Sequence, residues 1–150
     1  MKVKKFKQIA RLLNWYPPFL GAGIRIASTS KDFTRFVVQM KSRWYNRNIF
    51  GTHFGGSLYA MCDPFFVFIL IANLGENYVI WDKSAVIHFR KPGKGTMTAV
   101  FEIPSERIAA IQTEMQQKTK ATFWFTAEVK NEEGLVIAAV EKEIYVRRKQ

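Results

Sequence analysis

A single cysteine, Cys62, and two histidines, His53 and His88, are all that this 150-residue chain offers to disulfide or soft-metal chemistry. One thiol excludes an internal disulfide and fits a reducing compartment, so a cytoplasmic protein is expected. The three residues are not spaced as a zinc signature, and no metal is expected. Acidic residues are also scarce, 12 Asp plus Glu against 23 Lys plus Arg, for a net charge of +11. That balance points to an anionic partner: nucleic acid, acidic lipid or the phosphates of a nucleotide-bearing cofactor. There is no glycine-aromatic strand motif, zinc finger or basic recognition helix to support specific nucleic-acid binding. No phosphate loop supports nucleotide hydrolysis. The chain also lacks repeats, acidic runs and low-complexity linkers. No apolar run is read as transmembrane; the strongest candidate, 64–74, is too short and reads as a core helix. No long apolar region follows the basic N-terminus, so no secretory signal is expected.

What is present is apolar and aromatic. Hydrophobic residues make up 48% and aromatics 15% of the chain, which fits one folded domain over 1–150. Val3, Phe6, Ile9, Ala10 and Leu13 recur at helical spacing among lysines. They predict a short amphipathic helix that docks on its own domain or rests weakly on an anionic membrane surface. Pro17, Pro18, Gly21 and Gly23 mark a loop. Strands are expected from Ile24 to about Ser28 and over 36–43, joined by a turn near 30–32, with a loop over 46–54. The segment 58–74 predicts one long apolar helix, in which Pro64 bends or opens a turn beside Asp63.

The second half has period two. Ala85, Ile87 and Phe89 oppose Ser84, His88 and Arg90, and a turn at Pro92-Gly93 leads into a strand over 96–103. Ser105 is placed to cap a helix reaching 117, with Ile108, Ile111 and Met115 facing inward. A strand over 122–129 sets Phe123 and Phe125 opposite Trp124, and a turn over 131–134 leads into a last strand over 135–147. His88 reads as an ordinary surface histidine. The layout predicts an α+β fold in which a strongly curved antiparallel sheet wraps and closes around a long central helix. Free strand edges predict at least two chains.

The segment 48–63, NIFGTHFGGSLYAMCD, carries the chemistry. A glycine-rich turn opens an apolar segment that holds one carboxylate, Asp63. A carboxylate among Leu, Met, Phe and Ile is costly unless it is paired, hydrated or used. Gly55 and Gly56, ahead of a helix, let backbone N–H groups approach a carbonyl or an anion. Together these features suggest a site that polarises an acyl group. Cys62 and Asp63 are adjacent in a helix and face different directions, so Cys62 reads as an inert buried thiol.

Asn48, Gly51, Gly55, Gly56, Leu58, Tyr59 and Asp63 fall on a pattern of the hotdog-fold superfamily. The chain resembles most closely its small thioesterases related to phenylacetyl-CoA thioesterase and a sister group of uncharacterised domains. The histidine of that pattern is replaced by Phe54, and His53 lies one residue earlier. The resemblance implies a hotdog fold and hydrolysis of an acyl-CoA thioester, with coenzyme A entering as part of the substrate and no separate cofactor. Asp63 would be general base or nucleophile, and Gly56, with Gly55, would donate N–H to the thioester carbonyl. Asn48 or Asn46 would orient the carboxylate or water, and His53 would bond to either. The carboxylate would meet glycines of a second subunit, in a homodimer or dimer of dimers. Arg43, Arg90, Lys91 and Lys94, at strand ends and turns, are the candidates for the coenzyme phosphates. The alternative is a noncatalytic protein that binds fatty-acyl groups or acyl-CoA.

Overall fold

A computed structural model of the chain describes Gln8 and residues 12–149. Val3, Phe6, Ile9 and Ala10 of the expected amphipathic helix lie outside the described residues. Leu13–Trp15 forms a single 3-10 turn. The segment read as a loop is instead a short helix, α1 (Pro17–Ala22), with prolines in its first turn and Gly23 at φ +74° as its C-cap. Proline starts a helix without loss because N–H groups there have no intrahelical acceptor, and glycine takes the left-handed φ that ends one.

The remaining elements are β1 (Ile24–Thr29), β2 (Arg35–Lys41), α2 (Gly55–Ala60), α3 (Phe65–Leu74), β3 (Tyr78–Phe89), β4 (Thr96–Glu102), α4 (Ser105–Gln117), β5 (Lys120–Lys130) and β6 (Val136–Arg148). Ile108, Ile111 and Met115 of α4 are buried as expected, but Pro104 holds the N-cap position, so Ser105 opens the helix without capping it.

The expected central helix is broken in two. Pro64 has no N–H to give to the carbonyl of Ala60. The helix closes at Met61 and Cys62, whose N–H groups bond to Ser57 and Tyr59, and restarts at Phe65 after a cis Asp63–Pro64 peptide. Counted through the break, Gly55–Leu74 runs 20 residues with mean hydropathy 1.7, enough by length and composition to cross a membrane. Leu58, Met61, Phe65, Phe66, Ile69 and Leu70 are buried within the domain, so the segment serves as core. Phe65 stacks on Phe101 at 4.9 Å and Phe66 on Phe125 at 5.1 Å, joining α3 to β4 and β5.

The sheet corrects the sequence reading. All six strands pair antiparallel in the order β1-β2-β4-β5-β6-β3. β1 and β3 are edges that do not meet, and the sheet is neither curled around the helix nor closed. Period-two patterning identifies the face each residue takes, but closure depends on whether the first and last strands reach one another, which no local pattern encodes. The weakest junction is at the centre, where β4 and β5 share only the pairs Thr98↔Lys130 and Ala99↔Val129.

Candidate active site

Asp63 sits in the helix break, where the interruption turns its side chain toward the sheet. Its Oδ1 accepts a hydrogen bond from Lys142 Nζ at 2.9 Å. Lys142 is only 1% exposed, whereas the Asp63 side chain is 48% exposed. The same ammonium lies 3.0 Å from Asp82 Oδ1, without the angle of a hydrogen bond, and donates to Tyr59 Oη at 3.4 Å. The Tyr59 ring adds its face, 5.2 Å from Nζ to the centroid. An isolated charge at this depth would be strongly disfavoured; here one ammonium serves two carboxylates.

The strands explain how these groups meet. Ala138, Val140, Ile144 and Val146 of β6 are buried, and period two puts Lys142 in the same inward row. Lys142 stands in register with Ala85 on β3 and Phe125 on β5. Asp82 precedes a register shift in β3, and the next residues turn to Glu143: Lys83 Nζ at 2.8 Å and Ser84 Oγ at 2.7 Å. Neither Asp82 nor Lys142 was among the sequence-derived candidates. Their signal is a charged residue in an otherwise apolar inward row.

Burial pushes the Asp82 carboxyl above the ordinary aspartate range, and the nearby Asp63 adds to the shift against the pull of Lys142. Burial also works to lower the Lys142 pKa, but the bonds and charges of Asp63, then Asp82, outweigh it, so the ammonium is held above the usual lysine value. Cys62 is fully buried and its thiol is pushed up to about 12, mainly by burial, which makes it a poor nucleophile.

Gly55 and Gly56 form the first turn of α2. Among the described residues no acceptor meets either N–H. A Cβ on Gly55 would lie 3.2 Å from the Phe89 ring, and one on Gly56 would lie 2.5 Å from the ring of Phe54. Phe54 therefore lies across Gly56 where the hotdog pattern has histidine.

The other candidates are distributed. A cavity of about 350 Å³ is lined by Asn48, His53, Gly55, Phe89, Arg90 and Lys91, among others, and Asp63 is not part of its wall. Asn48 is engaged within its own loop, accepting from Phe50 N and Thr52 N at 3.0 and 3.2 Å. Asn46 is buried and bonds to Arg43 N, Ala22 O and Lys41 O. His53 is buried and donates Nε2–H to Gly95 O at 2.8 Å, while its Nδ1 has no partner. The carbonyl acceptor assigns the tautomer. Lys94 is exposed in the turn that follows Lys91. Arg43 lines a separate groove of about 380 Å³ with Arg25, Lys41 and Tyr45. Among the described residues no His, Cys, Asp and Glu cluster suits a metal ion.

A family model described as "Domain of unknown function (DUF4442)" matches residues 4–146. No curated protein matches the chain. Among solved structures, a Pseudomonas aeruginosa protein of unknown function named as a "probable thioesterase" is 20% identical with a TM-score of 0.82, covering 95% of this chain and 96% of its own. A thioesterase of Haemophilus influenzae is 14% identical with a TM-score of 0.68, over 93% and 88%. The E. coli PaaI protein from the phenylacetic acid degradation operon is 20% identical with a TM-score of 0.65, over 100% and 97%. At these identities the likeness shows the fold, which is the hotdog architecture.

Proposed function

The chain belongs to the family described as Domain of unknown function (DUF4442), and on that premise we propose that it is an acyl-CoA thioesterase in which Asp63 assists attack by water. The carrying observation is the asymmetry of Asp63. Oδ1 is tied to a buried ammonium, while about half of the side chain remains open. A carboxylate held on one side and accessible on the other is placed to act as a base.

In this reading Asp63 takes a proton from water as the water oxygen bonds to the thioester carbon. The carbonyl oxygen, as it gains charge, receives N–H from Gly55 and Gly56. The C–S bond then breaks, and the sulfur leaves with the proton to give a carboxylic acid and a thiol. The cavity lined by Gly55 does not include Asp63, and in this reading a second copy brings its glycines to this carboxylate. Arg90 and Lys91, on the cavity beside Gly55, draw the phosphates of the coenzyme.

The test is thiol release from short, aromatic and long acyl-CoAs by native and Asp63→Asn protein. Loss of about 100-fold or more in kcat, typical of removing an acid–base group, is expected. Unchanged kinetics in the variant would overturn the role of Asp63. The Phe54 ring across Gly56 favours a second reading, an acyl-CoA binding protein without turnover. Saturable binding with no thiol release from any member of the panel would select it.

A further inference from the structure

Resting on that reading of Asp63, we propose that Lys142 is the positioning residue that aims the Asp63 carboxylate, and that Asp82 holds Lys142 in place. Lys142 occupies a core-facing position between Val140 and Ile144, both buried. Replacing a whole buried ion cluster by apolar residues is often neutral or stabilising, whereas removing one partner alone is costly. Packing alone therefore gives no reason for an ammonium at this point. Its partners do.

Nζ donates to Asp63 Oδ1 and Tyr59 Oη, and Asp82 Oδ1 lies 3.0 Å away as an ionic contact. This surround fixes the direction of the ammonium. The members differ in access, with Lys142 at 1%, Asp82 at 24% and Asp63 at 48% side-chain exposure. Lys142 and Asp82 thus form the floor, and Asp63 is the member that faces outward. Binding of Oδ1 from below leaves Oδ2 as the oxygen presented to water and substrate.

Charge supplies the role of Asp82. A Lys–Asp pair alone is neutral, and full pairing would weaken a carboxylate as a base. While both carboxylates are ionised, the second one leaves one surplus negative charge on the cluster. Asp82 therefore both anchors Nζ and keeps Lys142 from quenching Asp63.

The test compares Lys142→Met, Asp82→Asn and Asp63→Asn with native protein by kcat, KM and crystal structure. Lys142→Met is expected to lower kcat by about 100-fold, the cost of roughly 1 Å of misplacement, with KM within about twofold. Its Asp63 carboxylate should leave the position found in the native protein. Asp82→Asn keeps an oxygen toward Nζ and removes its charge, so Asp63 should stay in place while kcat falls. If Lys142→Met does not fold, Lys142→Met/Asp82→Asn removes the unpaired second carboxylate, and its kcat and Asp63 position are compared with those of Asp82→Asn alone. Native kcat in the Lys142 variant, beside an inactive Asp63→Asn, would overturn the inference and leave the proposed function standing. If native protein releases no thiol, the proposed function fails; the inference then stands if Asp63 moves in the Lys142 variant and falls if it does not.

Discussion

Lys142 Nζ lies 2.9 Å from Asp63 Oδ1 across a sequence separation of 79 residues. The contact joins the break between α2 and α3 to β6, and β3 supplies the second carboxylate. Removing the ammonium would leave two carboxylates facing one another at the sheet–helix junction. Lys142→Ala is therefore expected to cost about 3–5 kcal/mol, the usual penalty for breaking a buried pair. In a domain of this size that lowers Tm by roughly 10 °C. Asp63→Asn, at a half-open side chain, should cost far less. Thermal unfolding of both variants checks the order, and equal losses would contradict the arrangement of Lys142 beneath an open Asp63.

The pH dependence of stability follows from the same cluster. The folded Asp82 carboxyl titrates above its unfolded value because burial and then Asp63 disfavour its charge. Between the ordinary aspartate pKa of about 3.9 and that raised value, the unfolded chain has lost the proton and the folded one retains it. Stability from this group is thus fully present below the unfolded pKa and is lost as pH rises through the folded pKa. Lys142, also raised, contributes below the ordinary lysine value of about 10.4 and loses that contribution as pH climbs past its folded value. Urea unfolding of native protein and Asp82→Asn, compared as pH rises from the ordinary aspartate pKa of about 3.9, should show a native-minus-variant difference that falls until the folded carboxyl has titrated. A flat difference would remove the raised carboxyl from the account.

The sequence made much of the framework legible because its signals are local. Phe123 and Phe125 are buried opposite the exposed Trp124, as period two requires. The turn near Asn131 forms, with the Asn131 side chain accepting from Leu135 N and Gly134 at φ +79°. Pro64 signals an interruption at Asp63, and in the structure it goes beyond a bend: the helix stops and restarts. The partner of Asp63 was harder to read. Local patterns place Lys142 and Asp82 on inward rows but do not say that β3 and β6 pair in the register that brings them to one helix break. The open sheet is illegible in the sequence for the same reason, since edge meeting is a global property. Pro17 and Pro18 misled in the opposite sense: a breaker inside a helix is a starter in its first turn.

His53 separates anchoring from chemistry. Its backbone N–H bonds to Gly93 O at 2.9 Å and its ring to Gly95 O at 2.8 Å, so it ties the loop before α2 to the turn before β4. His53→Ala should cost about 2–3 kcal/mol through a lost buried hydrogen bond and a cavity. Activity should fall in step with the loss of this anchor. Replacement by Asn, which can still donate to Gly95 O, should recover part of both. A variant with native Tm and abolished turnover would instead place His53 in the reaction.

The basic side chains divide by location, which makes their roles separable. Arg90 and Lys91 line the cavity that contains Gly55, whereas Arg43 faces the groove shared with Arg25 and Lys41. All of them are exposed, so each would act as a solvent-screened charge on a phosphate rather than as a buried partner. Such contacts are made equally in the ground state and the transition state, and uniform binding appears in KM alone. Arg90→Gln/Lys91→Gln is therefore expected to raise KM for an acyl-CoA by about tenfold, roughly 1.4 kcal/mol of binding, with kcat retained. Added salt should erode that difference by screening the native charges. Arg43→Gln should move KM less, because its groove lies apart from the glycine turn. A larger effect from Arg43 than from the Arg90–Lys91 pair would place the anionic end of the substrate on the other groove.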